Sequence, residues 1–385
     1  MPTRRRHRPV RALVFRFGVA LTIAALATAS GIIALNTLID AKLATARRVR
    51  VHTAIATNGP TNFLLLGADQ AALDNLSDTM WVVRVDPNRR TALVVSFPRD
   101  LWVNVPGHGL AKINASNNGG PQLVIDTMRQ DFGIPINHYV QVDYPAFKGV
   151  VDAIGTVPVY VPYPARDDVS GFYSPIAGCK QFTGYDALQY VRSRGLAYYS
   201  STKRQWLTAD AVPDIDRIAR QQNFVKSLAT LAARKAVHNP LTANTIADRV
   251  LKHLTVDTGL SRDDVLTLVD TFVGINPSDR KHVRFETIPS AEGPVQQGQS
   301  VLYLSNPAAD AMIQSVGGTG VGANPTSATP GSSATAGGGT APPTSAGGSG
   351  GGESVPSSSV LRASIEDAAA LGPAAPVTPP CTASS

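Results

Sequence analysis

Sulfur is scarce in this chain. Its 385 residues include two cysteines, Cys179 and Cys381. That is too few for a cysteine metal cage and enough for one disulfide in an exported protein. A bond between them would pin the last residues to the folded domain; two unpaired thiols are the alternative that spacing leaves open. An excess of basic charge is also missing from most of the chain, although the net charge is +7. Residues 1–50 hold ten Lys and Arg against one acid, Asp40, leaving 25 basic and 27 acidic residues in the other 335. The basicity belongs to the N-terminus, which removes the support a high pI would give to nucleic-acid binding. There is no internal repeat and no G-x-S-x-G elbow. His108 and His138 with Ser96 and Asp100 make no hydrolase triad, because nothing in the sequence places them together. His138 reads as a strand residue.

What the N-terminus does carry has a membrane logic. Arg4, Arg5, Arg6, Arg8, Arg11 and Arg16 precede Phe17 to Ile39, 23 residues without a charge. At about 1.5 Å per residue this run spans a bilayer as one helix. The basic flank places the N-terminus inside, with Lys42, Arg47, Arg48 and Arg50 following the span. A cleaved signal peptide is the alternative, and it exports the same domain.

The exported part is organised around Asn62 to Asp100. Three apolar runs, Phe63–Leu66, Met80–Val85 and Ala92–Phe97, are separated by Gly67, by Asp86-Pro87-Asn88 and by Pro98. They predict three strands, the last two paired as a hairpin. Their free ends would lie nearly level, so Asp69, Asp78, Arg99 and Asp100 would crowd one rim of a sheet. A divalent cation and an anionic substrate would settle that mixture of charge.

Beyond the hairpin, helices are predicted from Pro121 to Gly133 and from Pro145 to Ile154, and strands over His138–Val142 and Val157–Val161. Thr183 to Asp186 and Ser261 to Asp264 read as capping boxes. The first opens a helix to Arg194; a longer helix follows from Ile215 to Lys235. Strands near Val283–Ile288 and Val301–Leu304 would complete the sheet. The alternation implies an α/β fold, a layered sheet with helices on both faces. Gly317 to Ser359 is dominated by Gly, Ser, Thr, Ala and Pro, and predicts a flexible linker.

A second constellation is Tyr190-Val191-Arg192-Ser193-Arg194 together with Asp214 to Gln221. Arg217 and Gln221 share a helix face, one the spacing sets apart from the Ile218 and Val225 stripe. Several guanidiniums offering bidentate forks suit pyrophosphate. With a carboxylate rim elsewhere, they describe phosphoryl transfer.

These motifs carry a resemblance. LLLGAD, SDTM, SFPRD, Lys112-Ile113-Asn114, YVRSR and DRIARQ stand in the order of the LytR-CpsA-Psr family, over about residues 60–235. The resemblance implies a three-layer α/β/α sandwich with a mixed central sheet, preceded by one transmembrane helix and followed by a disordered tail. Together with the composition, it divides the chain into a cytoplasmic segment (1–16), the span (17–39), a linker (40–55), an extracytoplasmic catalytic domain (56–305), a short helix (306–316), the low-complexity linker (317–359) and a tail with Cys381 (360–385). It implies a membrane-anchored phosphotransferase that moves a glycopolymer from a polyprenyl-pyrophosphate carrier onto peptidoglycan, with pyrophosphatase as a side activity.

By the same resemblance, Asp69 and Asp78 would hold Mg²⁺ or Mn²⁺. Arg99, Arg192, Arg194, Arg217, Gln221 and Lys112 would bind pyrophosphate, and Arg99, Asp100 and Asp214 would be catalytic. Apolar side chains between sheet and helices would take the isoprenoid tail. Two positions depart from the family's pattern. Leu76 and Ala71 stand where arginines are usual, which leaves a weaker clamp or one supplied by Lys203 or Arg204 of the long 195–212 segment. They also favour an alternative, a catalytically weak binding or regulatory protein. A transcriptional regulator, a label the family has carried, is opposed by the neutral domain.

Overall fold

The computed structural model describes residues 41, 43–55, 59–68, 76–209, 213–238, 254–272, 279, 281–320 and 381. Phe17–Ile39, Asp69, Ala71 and almost all of the tail lie outside the described residues. No helix among the described residues is long and apolar enough to cross a membrane.

Seven strands form the central sheet: β1 (Arg47–Val49), β2 (Thr61–Ala68), β3 (Ser77–Asp86), β4 (Thr91–Phe97), β5 (His138–Val142), β6 (Leu254–Asp257) and β7 (Val283–Thr287). Their order is β1-β6-β5-β2-β3-β4-β7. The sheet is mixed, with β2, β3 and β4 antiparallel in series and β2 paired in parallel with β5. The predicted hairpin is present, in a register that pairs Met80 with Phe97 and Asp86 with Thr91. Continued two residues past Met80 and Phe97, that register sets Asp78 level with Arg99, as equal strand lengths require. Asp78 lies inside β3, which starts at Ser77, and not ahead of the strand as its sequence suggested.

Alternation along the strands supplies both faces of the sheet. Leu64, Leu66, Met80, Val82, Val95 and Phe97 point one way, against Val124, Ile125, Met128 and Phe132 of helix α1 (Pro121–Phe132). Phe63, Leu65, Val83 and Val85 point the other way. Each fully buried Leu, Val or Phe contributes about 1.5–3 kcal/mol. α1 starts with Pro121 and stops at Gly133, whose φ of 65° is the left-handed conformation that glycine adopts without strain.

Four further helices serve the second face: α2 (Tyr144–Ile154), α3 (Gly184–Arg192), α4 (Pro213–His238) and α5 (Arg262–Phe272). Asp143 caps α2 through the Ala146 N–H at 2.7 Å. Both predicted capping boxes form: Asp186 bonds back to the Thr183 N–H and Asp264 to the Ser261 N–H. Helix α6 (Ala308–Ser315) returns to the first face through Ile313.

One expectation needs correction. Leu302–Leu304 does not join the central sheet; it pairs with Ser290–Glu292 in a separate ribbon. The sheet is completed instead by β1 and β6. The 195–212 segment also has structure of its own. Ala197–Ser200 and Gln205–Thr208 form a hairpin that joins Ala165–Asp167 and Phe172–Ser174 in a four-stranded sheet. Cys179 is bonded to Cys381, which ties the chain's end to the strand Gly178–Phe182.

Candidate functional site

The site begins where β3 and β4 bring their ends level. Arg99 Nη1 donates to Asp78 Oδ1 at 2.9 Å. The Arg99 Nε, buried and without a hydrogen-bond partner, lies 3.7 Å from Asp100 and 3.8 Å from Asp214. The other Asp78 oxygen accepts from the Tyr144 hydroxyl at the start of α2. The backbone carbonyl of Asp78 accepts from Arg217 Nη2 at 2.8 Å. One residue at the head of β3 therefore gathers three elements.

Arg217 is the largest fully buried side chain among the described residues, with 2% of its surface exposed. Its Nη2 lies 2.6 Å from Asp214 Oδ1, one helical turn away. The contact is an ion pair without hydrogen-bond alignment, since both Asp214 oxygens remain buried without a hydrogen-bond partner. Burial pushes the Asp214 pKa up, opposed by the attraction of Arg217, and burial likewise pulls the Arg217 pKa down. Burial disfavours each charge, and each is held by the attraction of the other.

Arg192 ends α3 and lays its guanidinium over the Tyr144 ring, 4.3 Å from the centroid. Arg194, one residue past the helix cap, lies 3.6 Å from Asp100. Lys112 Nζ donates to the other Asp100 oxygen at 2.7 Å.

Two cavities meet here. The first, about 220 Å³, runs between the sheet and helices α2, α3 and α4. Leu65, Trp81, Phe147, Leu188, Val191 and Val225 give it an apolar wall. The second, about 490 Å³, is a charged mouth with Asp78, Arg99, Asp167, Arg192, Arg194 and Arg217 on its walls. Asp78, Arg192 and Arg217 line both, so the cationic mouth opens straight into the apolar cavity. Such a shape accepts an amphiphile with an anionic head.

Gln221 lines the apolar cavity, donating to the Val191 carbonyl at 3.1 Å while its Oε1 stays buried and unpartnered. Arg217, Gln221 and Val225 all line it, at successive intervals of four residues. The expectation that the Arg217 face is offset from Val225 is corrected accordingly. Asp100, Asp214 and Lys112 line neither cavity. Asp100 and Asp214 pair with Arg99, Arg194 and Arg217 and act through those guanidiniums, while Lys112 pairs with Asp100. Leu76 immediately precedes β3, and Lys203 and Arg204 sit exposed at the tip of the 197–208 hairpin, outside both linings.

Sequence reasoning missed two residues here. Tyr144 stands just ahead of the predicted helix start at Pro145, and nothing in the sequence marks it. Asp167, 2% exposed, is equally unmarked. Its Oδ2 accepts from the Ser193 hydroxyl at 2.6 Å, from Arg194 N at 2.9 Å and from Gly195 N at 3.0 Å. Its Oδ1 accepts from Val169 N at 2.8 Å and Ser170 N at 3.1 Å. Burial alone would raise the Asp167 pKa, but these donors outweigh it and bring the value to about 2. The carboxylate is the staple that fixes the turn carrying Arg194.

Among the described residues no group of three or more His, Cys, Asp or Glu is arranged to hold a metal. The donors still suit a hard cation. Asp78 offers carboxylate oxygens at the mouth, and magnesium is commonly bound by one or two carboxylates, with waters and substrate phosphates supplying the rest. Asp69 follows the end of β2 by one residue and lies outside the described residues.

Comparison with known proteins follows the same lines. The model of the LytR_cpsA_psr family matches residues 32–316. The "Probable cell wall biosynthesis protein LcpB" of Corynebacterium glutamicum is 32% identical over 197 residues, 47% of this chain and 44% of that protein. The "Polyisoprenyl-teichoic acid--peptidoglycan teichoic acid transferase TagU" of Oceanobacillus iheyensis is 29% identical over 238 residues, 59% of this chain and 68% of that protein. The match thus spans less than half of the first relative's length and about two thirds of the second's. The solved structure of the "LytR-Csp2A-Psr enzyme from Actinomyces oris" superposes with a TM-score of 0.60 at 24% identity, over 71% of this chain and 97% of that one, which shows a shared fold.

Proposed function

The chain belongs to the LytR-CpsA-Psr family, and from that membership we propose that it is a membrane-anchored transferase of cell-wall glycopolymers. Its donor would be a glycan on a polyprenyl-pyrophosphate carrier and its acceptor a hydroxyl of peptidoglycan, in line with the name its TagU relative bears. Phe17–Ile39 would be the anchor, with the three-layer α/β/α domain outside the membrane. The observation that carries this reading is the junction of the two cavities at Asp78, Arg192 and Arg217. A hydrocarbon chain fits the apolar side and a pyrophosphate the cationic side.

In the proposed step the acceptor hydroxyl oxygen forms a bond to the glycan-bearing phosphorus, and its proton goes to the leaving phosphate, directly or through water. The bond to the bridging oxygen breaks, and polyprenyl phosphate leaves with that electron pair. Phosphoryl transfer asks the protein mainly to position groups and to neutralise charge spreading over phosphate oxygens. Arg99 and Arg217 reach the mouth for that task, and Asp214 holds Arg217 charged and oriented. Arg192 and Arg194 bind the head from the α3 side, and Asp167 fixes the turn that presents Arg194. A magnesium ion carried by Asp78, with Asp69, would add Lewis-acid stabilisation of the phosphate oxygens when bound. The Tyr144 hydroxyl on Asp78 fixes the carboxylate's orientation.

The experiment is ligand-induced thermal stabilisation of the full chain in detergent. Polyprenyl pyrophosphate should stabilise it far more than polyprenol or inorganic pyrophosphate at the same concentration, because only the whole amphiphile uses both cavities. Val225→Trp, which fills the apolar cavity, should remove the advantage of the long chain. Equal stabilisation by all three ligands, or none by polyprenyl pyrophosphate, would overturn the reading.

A further inference from the structure

We propose that the outward face of the four-stranded sheet beside the mouth is a saccharide-binding surface, and that it takes the acidic glycan strand bearing the acceptor hydroxyl. This deepens the reading above and rests on it. The sheet's register assigns the faces. Tyr173 pairs with Arg166, Arg166 with Ala197, Ala197 with Thr208, and Tyr199 with Trp206. Since alternate residues of a strand share a face, these six side chains stand on one side. The other side is sealed: Phe172, Ala165 and Asp167 are 3%, 0% and 2% exposed.

The outer side faces solvent. Tyr173 is 64% exposed. Tyr199 meets Trp206 edge to face at 5.5 Å between centroids, and the Arg166 guanidinium lies 4.6 Å from the Trp206 ring centre. The face therefore offers aromatic rings and a cation but no aliphatic side chain larger than alanine, which is poor material for the core of a protein–protein interface. It suits a sugar. The C–H face of a pyranose packs against ring faces and edges while its hydroxyls stay hydrated, and a carboxylate on the strand meets Arg166.

Charge and position both choose the occupant. Lys203 and Arg204 are exposed at the hairpin tip and Arg194 stands at the mouth, so with Arg166 four cations outnumber the exposed acid, Asp168, which lies 3.8 Å from Arg166. That balance complements an anionic polymer. The surface is also continuous with the proposed reaction site. The strand Ala165–Asp167 carries Arg166 outward while its next residue, Asp167, lines the mouth together with Val169 and Ser170. A strand lying on this face would run on to the mouth, where an acceptor hydroxyl must arrive.

The test is co-sedimentation of the full chain in detergent with purified peptidoglycan sacculi stripped of wall polymer, with anionic phospholipid vesicles as a parallel arm. Trp206→Ala and Arg166→Gln should each weaken sacculus binding about tenfold, the effect of losing one aromatic or cation–π contact with its packing. In transfer assays the same variants should raise KM for peptidoglycan and leave kcat and the KM for lipid-linked donor unchanged. If Trp206→Ala lowers the melting temperature, Arg166→Gln, which leaves the ring pair in place, decides. Unchanged sacculus binding in Arg166→Gln and in the Lys203→Glu/Arg204→Glu double variant would overturn the proposal. So would a loss confined to vesicle binding, which would make the face a membrane contact. Weakened sacculus binding in a chain that shows no transfer would uphold the surface and refute the proposed reaction.

Discussion

Replacing Asp167 by Asn removes one charge and almost no volume, yet the structure requires a large effect. Five donors converge on the carboxylate, three on Oδ2 and two on Oδ1. An amide has one oxygen. If its nitrogen takes the Oδ2 position, the N–H groups of Arg194 and Gly195 face an NH₂ group; if it takes Oδ1, those of Val169 and Ser170 do. Either way two part-buried backbone donors lose their acceptor, at about 1 kcal/mol each, the low end for an unsatisfied donor because water can reach them. A loss of about 2 kcal/mol at pH 7 is the expected sum, read by urea unfolding of the full chain followed by circular dichroism.

The pH dependence gives a second reading of the same residue. The folded-state value, about 2, lies below the ordinary 3.8. The contribution is therefore complete above the unfolded value and is lost as pH falls through the folded one, a linkage of about 2 kcal/mol. Wild type should lose this increment between roughly pH 4 and 2, and Asp167→Asn should not. A variant within about 0.5 kcal/mol of wild type, the size of an ordinary surface substitution, would refute the staple.

Arg217→Ala and Arg99→Ala should each lower kcat about a hundredfold, as for other preorganised charge stabilisers, with Arg99→Lys recovering only part because a point charge lacks the fork; single-turnover rates with saturating donor test this. Asp78→Ala should abolish magnesium-dependent turnover while the far-ultraviolet spectrum stays near wild type, because Asp78 is a half-buried residue near the start of β3 and no part of the apolar core; the melting temperature should fall modestly as Arg99 and Tyr144 lose its carboxylate. Near-normal turnover would move the metal elsewhere. Cys179→Ser should release the chain's end and lower stability by up to about 5 kcal/mol, the chain-entropy limit for a loop this long; an unchanged unfolding midpoint would show that the bond holds nothing the fold needs.

The parts of the fold legible in the sequence were those whose signals are local. Pro98 and Asp86-Pro87 bounded the β3–β4 hairpin closely enough to set Asp78 level with Arg99, and both capping boxes marked their helices. The strands that went unread carry weak or contrary signals. β1 contains Arg47 and Arg48, which read as flanking charge for a membrane span; on a sheet edge the same charges discourage unwanted pairing. Ala165–Asp167 and Phe172–Ser174 are three residues each, too short for a period to show.

The site divided in the same way. Arg99, Arg192, Arg194 and Arg217 could be named because guanidiniums in clusters are unusual, and the fold does bring them to one mouth. Asp167 could not, because its role rests on five donors from two turns that only the folded chain brings together. Asp100, Asp214 and Lys112 were read as touching substrate, since a sequence cannot tell a residue at a cavity wall from one a layer behind it.

The central claim is that this mouth transfers a glycan phosphate from lipid to peptidoglycan. Its most direct test is the full chain in detergent, incubated with polyprenyl-pyrophosphate-linked saccharide, labelled in the sugar, and with stripped sacculi, with and without magnesium. The account predicts label covalently retained on the sacculi, polyprenyl phosphate released in equal amount, and both lost in Arg217→Ala. Label that stays on the lipid under every condition, in protein that still binds polyprenyl pyrophosphate, would contradict it.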